Sequence, residues 1–408
     1  MTDTGTPPTT ADQVDDTTRK QTFRMGDAHT GTVLFANPSP DVYGSDLQML
    51  ESIEGLVEGG YRVVVALPRD GKLVPKLRSR GAEVLFVPFP VLRRANASAG
   101  GVASLAFDGL RSIRTLRGVI RSVKPDVVYV NTVTLPWWLI AARLSGVPAV
   151  CHVHEAETTD GRLVRFALNA PLGFANALIV ISRASLEATC GAAPGLARKA
   201  RLVFNGVPAP EVEPTALPIG AEPHRLAVVA RLSPRKAPHV ALDAVGLLRT
   251  AGRDVRIDVC GSPFAGYEWY EEELRERAEQ HDLRGAVTFT GYVSPIWPAL
   301  ERAHIVVAPS LREPFGNAVV EAQLALRPVV ASAALGHLET IQDGDTGLLV
   351  PPGDAQALAD AIATILDDAE LGARLARNSR TAALARFGVT RYRAEIISVI
   401  KSVRLVRR

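Results

Sequence analysis

One pattern limits what this chain can fold into. Short, almost continuously apolar runs rich in β-branched residues alternate with helical segments, and they do so in two separate series. The first series reads TVLFANPS from residue 32, YRVVVALP, EVLFVPF, DVVYVNT, PAVCHVHE and ALIVISRA. The second reads RLAVVARLS, VRIDVCG, AVTFTGYV, AHIVVAPS, RPVVASA and TGLLVPP. Strands without polar alternation are buried on both faces, which happens when a parallel sheet is covered by helices on each side. The expectation is an α/β fold: two Rossmann-like domains whose parallel sheets face a central cleft.

The length of 408 residues supports that division, because one hydrophobic core rarely grows so large. Residues 1–29 are rich in Thr, Asp and Pro and read as a disordered leader, with Met25 as an alternative start. The first domain is expected over 30–205 and the second over 206–386, with the Pro-rich PAPEVEPTALP near the junction. Residues 387–408 read as a helix with a basic end that packs back on the first domain. A net charge of +3 is too mild to point to nucleic acid. Cys151, Cys190 and Cys260 lie far apart, which fits a reducing cytoplasm and neither a disulfide framework nor a zinc site. No apolar run is long enough to span a bilayer.

In an open parallel sheet, ligands bind beyond the carboxyl ends of the strands, so the loops there carry the chemistry. In the first series, Gly44 and Ser45 form a small-residue strand-to-helix turn that lets backbone amides approach a phosphate. His152 and His154 end a buried strand on the same face; lacking a third ligand at suitable spacing, they fit polar contacts to a substrate better than zinc. In the second series, Arg231 and Lys236 flank a Ser-Pro turn before a helix, a place suited to a diphosphate. The stretch SLREPFGNAVVEAQ sets Glu313 in a loop and Glu321 in the following helix. Either acid alone is at home as a solvated loop acid or a helix-start acid. Beside two cations, carboxylates that accept from hydroxyls and cations that hold a diphosphate together describe a nucleotide sugar.

With those residues in place, the chain resembles the family 4 glycosyltransferases, a retaining group with the double-Rossmann GT-B fold. The resemblance runs from about residue 31 to 405 and is carried by Glu313-x7-Glu321, by RPVVASAALGHLETIQDGDTGLLVPPGD, by VARLSPRKA and by VFNGV. It implies a retaining hexosyltransferase of envelope polysaccharide or glycolipid synthesis. Glu313 would face the transferred sugar, Glu321 the ribose, and Arg231 and Lys236 the diphosphate. Backbone amides of Phe315, Gly316 and Asn317 would reach the sugar or distal phosphate, His154 the reacting face, and Gly261, Tyr292 and Val293 the base. No metal and no further cofactor are expected, and same-face attack is favoured over a carboxylate nucleophile. Replacing Lys236 by Ala is expected to lower turnover much more than it alters folding. The chain departs from the family pattern in its glycine-pair loop, which reads Tyr43-Gly44-Ser45, and at Ala230, Arg327 and His337, which stand where glycines are common.

Residues 105–124 place Arg111, Arg114, Arg117, Arg121 and Lys124 on one helical face and Leu110, Ile113, Leu116, Ile120 and Val123 on another. This reads either as an ordinary sheet-covering helix or as a contact for anionic lipid, aided by Arg93, Arg94 and the basic terminus. The expected partners are a nucleotide-sugar donor and a glycan or lipid-linked acceptor. The expected location is cytoplasmic and peripheral on the membrane's inner face. The competing functions are a sugar-nucleotide epimerase of the same fold and a non-catalytic nucleotide-sugar-binding subunit.

Overall fold

The computed structural model describes residues 29–42, 44–92, 99–156, 168–220, 222–264 and 266–405. The expected leader up to residue 28, Met25, Arg93, Arg94 and the last three residues of the basic terminus lie outside them.

The first series folds into a seven-stranded sheet in the order β3-β2-β1-β4-β5-β6-β7. Its strands are β1 Gly31–Ala36, β2 Tyr61–Leu67, β3 Glu83–Phe86, β4 Val127–Val130, β5 Ala149–Val153, β6 Ala177–Val180 and β7 Ala200–Leu202. All pairings are parallel. Alternate residues feed two cores: Val33, Phe35, Val63 and Tyr129 on one face, Leu34, Ala36, Val64 and Val130 on the other. The second series gives β8 His224–Val229, β9 Val255–Cys260, β10 Val287–Gly291, β11 Ile305–Ala308, β12 Val329–Ser332 and β13 Leu348–Val350. They lie in the order β10-β9-β8-β11-β12-β13, again all parallel and again with a core on each face. β7 has no counterpart among the apolar runs.

Both sheets reverse winding direction between two particular strands, β1 and β4 in the first and β8 and β11 in the second. At such a switch the two following loops diverge to opposite faces and open a crevice at the strand ends. The chain crosses between domains twice, side by side: Val207 N donates to Phe387 O at 2.9 Å, and Val207 bridges Gly388. Around that crossing Ile181, Val207, Phe315, Val320, Leu324, Ala383 and Phe387 form a buried apolar cluster.

The last helix, Val389–Leu405, packs on the helix Gly44–Glu58 of the first domain. Tyr392, Ile396, Val399, Ile400 and Val403 join the core that holds Met49 and Ile53. Burial of each such side chain contributes on the order of 2 kcal/mol. Tyr392 Oη and Ser52 Oγ share a buried hydrogen bond of 2.5 Å, and Arg393 reaches Glu51 at 2.6 Å and Glu54 at 2.8 Å. Gly55 makes room for it, since a Cβ there would stand 2.7 Å from the Arg393 Cβ.

The basic helix spans Ala99–Val123, beginning earlier than its charge pattern indicated. Ile113, Leu116 and Ile120 are buried, while Arg111, Arg114, Arg121 and Lys124 are exposed. Two residues depart from the expected faces: Leu110 is exposed beside exposed Phe107, and Arg117 is half-buried. At the turn of Leu110 the helix meets the helix Pro136–Leu144 through buried Gly109, where a Cβ would stand 2.1 Å from the Trp137 ring, and Leu110 is turned outward.

Candidate active site

The β8 and β11 loops lie side by side because their strands are neighbours at the switch. Leu311 N donates to Arg235 O at 2.9 Å, tying the loops together. Across that join the Lys236 ammonium donates to Glu313 Oε2, and Ser310 Oγ donates to the same oxygen at 3.4 Å. Gly336 N holds the Glu313 backbone through its carbonyl at 2.8 Å. Burial alone would push the Glu313 carboxyl up, but the charge of Lys236, aided by His337 and Arg235, overrides it and holds the group down at about 2. Glu313 is therefore ionised, buried and paired. Arg231, on the same loop, lies over the Phe264 ring with its guanidinium carbon 3.4 Å from the centroid.

The sequence pattern treated cation and acid as separate halves of a site, whereas the structure couples Lys236 to Glu313. That changes what removal of Lys236 does, because a buried carboxylate then loses its counter-ion.

Glu321 lies just over one turn into the helix Asn317–Leu324 and is half-buried. No hydrogen bond or ion pair reaches its carboxylate among the described residues, and burial pushes its carboxyl up to about 7. Gly316 precedes that helix at φ 105°, a left-handed conformation that suits glycine, and a Cβ there would meet the His337 ring at 2.9 Å. His337, where the family favours glycine, is buried and bonded through Nδ1 to Ser332 O at 2.9 Å. The Phe315 side chain points away into the inter-domain cluster, so only its backbone can serve a ligand. Gly261 has a packing reason: a Cβ would fall 1.7 Å from Ala230 O, so the ends of β8 and β9 approach this closely only with glycine. Tyr292 is exposed and Val293 half-buried where the chain leaves the edge strand β10.

On the first domain, Gly44 opens its helix across from Asn317, whose Nδ2 would stand 4.0 Å from a Gly44 Cβ. His154 follows β5, and its Nε2 lies 3.1 Å from Asn131 Oδ1. Its ring packs on the His152 ring, centroids 4.0 Å apart, and burial pulls its pKa down to about 3, so it is neutral. His152 is fully buried, with Nδ1 2.8 Å from Tyr129 Oη, and is out of a substrate's reach. Among the described residues, no group of three His, Cys, Asp or Glu is placed to hold a metal ion.

Several residues that shape the cleft were not singled out. Asn205 Nδ2 donates to Asn317 Oδ1 at 2.9 Å, and Arg312 Nη2 donates to Ala156 O at 3.3 Å. Glu339 Oε1 accepts from Arg183 N at 2.7 Å, capping a helix of the opposite domain. Asn205 lies inside the VFNGV landmark, which was its available signal; the others carry none, since each depends on a partner more than a hundred residues away.

The family model for glycosyl transferases group 1 matches residues 211–382, and that for a glycosyl transferase 4-like domain matches 44–206. The chain belongs to the group 1 glycosyltransferases. Glycogen synthase of Mycobacterium tuberculosis is 30% identical to it over 64% of this chain and 65% of its own. D-inositol 3-phosphate glycosyltransferase of Corynebacterium glutamicum is 35% identical over 38% of each chain. The match thus spans less than two thirds of either relative. Among solved GT-B structures, the Anabaena protein HepE in complex with UDP and glucose superposes with a TM-score of 0.78 at 25% identity, covering 91% of this chain and all of that one.

Proposed function

We propose that the protein transfers a hexose-type sugar from a nucleoside diphosphate sugar to a hydroxyl group of a glycan, lipid-linked or small-molecule acceptor, with retention at the anomeric carbon. The observation that carries this reading is the Lys236–Glu313 pair at the β8/β11 switch, set beside Arg231 and the start of the helix Asn317–Leu324. The UDP and glucose bound to HepE support it.

As the leaving diphosphate gathers charge, Arg231 and Lys236 take it up, together with the unbonded amides of the helix start. Such preorganised donors are worth about 3 kcal/mol each, or roughly a hundredfold in rate, and no metal is needed in this scheme. Lys236 then shares its ammonium between the phosphate and Glu313, while Glu313 accepts from sugar hydroxyls. Glu313 is a poor nucleophile, because the ammonium that keeps it ionised also occupies one of its oxygens. The unpaired Glu321 carboxylate accepts from the ribose diol, and the exposed Tyr292 turn lies near the base.

The acceptor side belongs to the first domain. The exposed Arg111, Arg114, Arg121 and Lys124, with exposed Phe107 and Leu110, fit the anionic inner face of a membrane, where a lipid-linked acceptor resides. Among the described residues, no helix is long and apolar enough to cross one.

A thermal-shift screen across nucleoside diphosphates tests the donor half, since a ligand at a hundred times its Kd adds about 2.7 kcal/mol of stability. The strongest responder names the base, and its sugar conjugates are then assayed for transfer. If no nucleoside diphosphate raises the melting temperature, the reading fails. Sedimentation with anionic and neutral vesicles at low salt tests the membrane half, and indifference to lipid charge removes it.

A further inference from the structure

We propose that Asn37 and Asn131, anchored by Ser39 and Asp46, form a hydrogen-bond relay that fixes the tautomer of His154 and leaves its Nδ1 as a bare acceptor for a substrate hydroxyl. The substrate half of this inference rests on the glycosyltransferase reading; the tautomer does not.

The relay begins at a group whose direction is certain. Asn37 Nδ2 lies 2.8 Å from Ser39 O and 2.8 Å from Asp46 Oδ1. A backbone carbonyl only accepts, so this end of Asn37 is its NH2 group and the other end is its carbonyl. The Asn37 carbonyl lies 2.9 Å from the Asn131 side chain, which must present its own NH2 there. A second backbone carbonyl, Ser45 O, lies 3.4 Å from the same Asn131 nitrogen and demands the same orientation. The remaining end of Asn131 is a carbonyl oxygen, 3.1 Å from His154 Nε2. A carbonyl facing an imidazole nitrogen requires an N–H on that nitrogen. Neutral His154 carries one ring proton, so Nδ1 has none.

The surroundings keep it that way. Asn37 and Asn131 are buried, so reversing either amide would leave buried polar groups facing like partners. Packing against the fully buried His152 ring, which takes His154 out of water, disfavours a positive charge on His154. The Glu155 carboxylate is turned to His154 N at 3.0 Å and to Thr132 Oγ1 at 2.7 Å. No partner reaches Nδ1 among the described residues, and the loop that carries it meets the second domain through Arg312 and Ala156. A bare imidazole nitrogen accepts from a hydroxyl and gives nothing to a phosphate oxygen. His154 is therefore a reader of sugar hydroxyls, and neither an acid nor a grip on the diphosphate. Asn37 and Asn131 act through it as positioning residues; they follow β1 and β4, the switch strands of the first sheet.

Long-range proton–nitrogen correlation spectra of the isotope-labelled full chain test the relay without any substrate. The His154 signals, assigned by their loss in His154→Gln, are expected to show a protonated Nε2 and a bare Nδ1 between about pH 6 and 8. Asn131→Asp keeps the side-chain shape but replaces the carbonyl with a carboxylate that favours imidazolium, so His154 begins to titrate in that range. A protonated Nδ1 or a mixture of tautomers in the wild type overturns the relay, as does an Asn131→Asp spectrum in which His154 is unchanged. Should Asn131→Asp not fold, the wild-type spectrum decides alone. With UDP-glucose as donor probe, Asn131→Asp is expected to lose about tenfold in kcat/KM, since a misdirected hydrogen bond costs on the order of 1.4 kcal/mol. If the tautomer is as stated and no nucleotide sugar is turned over, the glycosyltransferase reading fails and the relay stands.

Discussion

Replacing Lys236 by Ala should unsettle the second domain as well as the reaction. The side chains of Lys236 and Glu313 are only 18% and 12% exposed, so the pair is not to be discounted as a surface ion pair. Holding the Glu313 carboxyl at about 2 instead of its ordinary 4.5 corresponds to about 3 kcal/mol in favour of the ionised folded state at neutral pH. Because the folded value is depressed, this stability is fully present above pH 4.5 and is lost as pH falls toward 2. Lys236→Ala should therefore cost about 3 kcal/mol at pH 7 and flatten the acid limb of the stability profile. Glu313→Gln should cost less, because an ammonium on a flexible stem can turn to water. The double variant should be better than the sum of the singles by about 2 kcal/mol. The assay is urea unfolding of the four proteins at neutral and acid pH. A loss under about 0.5 kcal/mol for Lys236→Ala, or a coupling of that size, would refute the electrostatic reasoning. Donor turnover, measured separately, should fall about a hundredfold in Lys236→Ala.

Other expectations follow from single contacts. Glu321 has its folded value raised from 4.5 to about 7, so the folded state binds the extra proton between those values and stability falls as pH rises through them. Glu321→Gln should match the wild type near pH 4.5 and exceed it by up to about 3 kcal/mol at pH 8 in thermal unfolding, while weakening nucleotide binding. Equal pH profiles for the two proteins would exclude the unpaired, partly desolvated carboxylate. Gly261→Ala must push β9 away from Ala230 O and displace Arg231, so its melting temperature should drop, with a loss of about 3 kcal/mol or more. Tyr392→Phe removes the hydroxyl shared with Ser52 and should cost about 1 to 2 kcal/mol, read by urea unfolding, as the last helix loosens from the first domain.

The fold was legible because strands covered on both faces cannot hide: each expected run became a strand, even β3, β10 and β13 at the sheet edges, and β7 alone came from no expected run. That strand is three residues long with Arg201 in the middle, and it exists because β6 offers a free edge, a fact about a neighbour and not about its own composition. Leu110 shows the same limit from the other side. Helical periodicity tells which residues share a stripe, but which of them meets a core depends on the neighbour that packs there. Ile113, Leu116 and Ile120 enter the core, whereas beside Leu110 it is Gly109 that lies against Trp137.

The site follows the same logic one level up. Arg231, Lys236, Glu313, Glu321 and His154 could be found because strand ends are where ligands bind, and each lies one loop beyond a strand. What no pattern carried was the pairing of one loop with another. Lys236 and Glu313 are 77 residues apart, and Asn37 and Asn131 are 94 apart. In both cases contact arises because the chain places two non-consecutive strands side by side at the switch, β8 with β11 and β1 with β4. The two domains use that one topological feature for opposite purposes. In the second it joins a cation to an acid, leaving a charged centre that a diphosphate can re-partition. In the first it lines up neutral amides that settle which nitrogen of a neutral histidine is bare. In the proposed reaction a charged leaving group departs beside an uncharged sugar, and each sheet would supply one of these two devices from the strand ends at its switch.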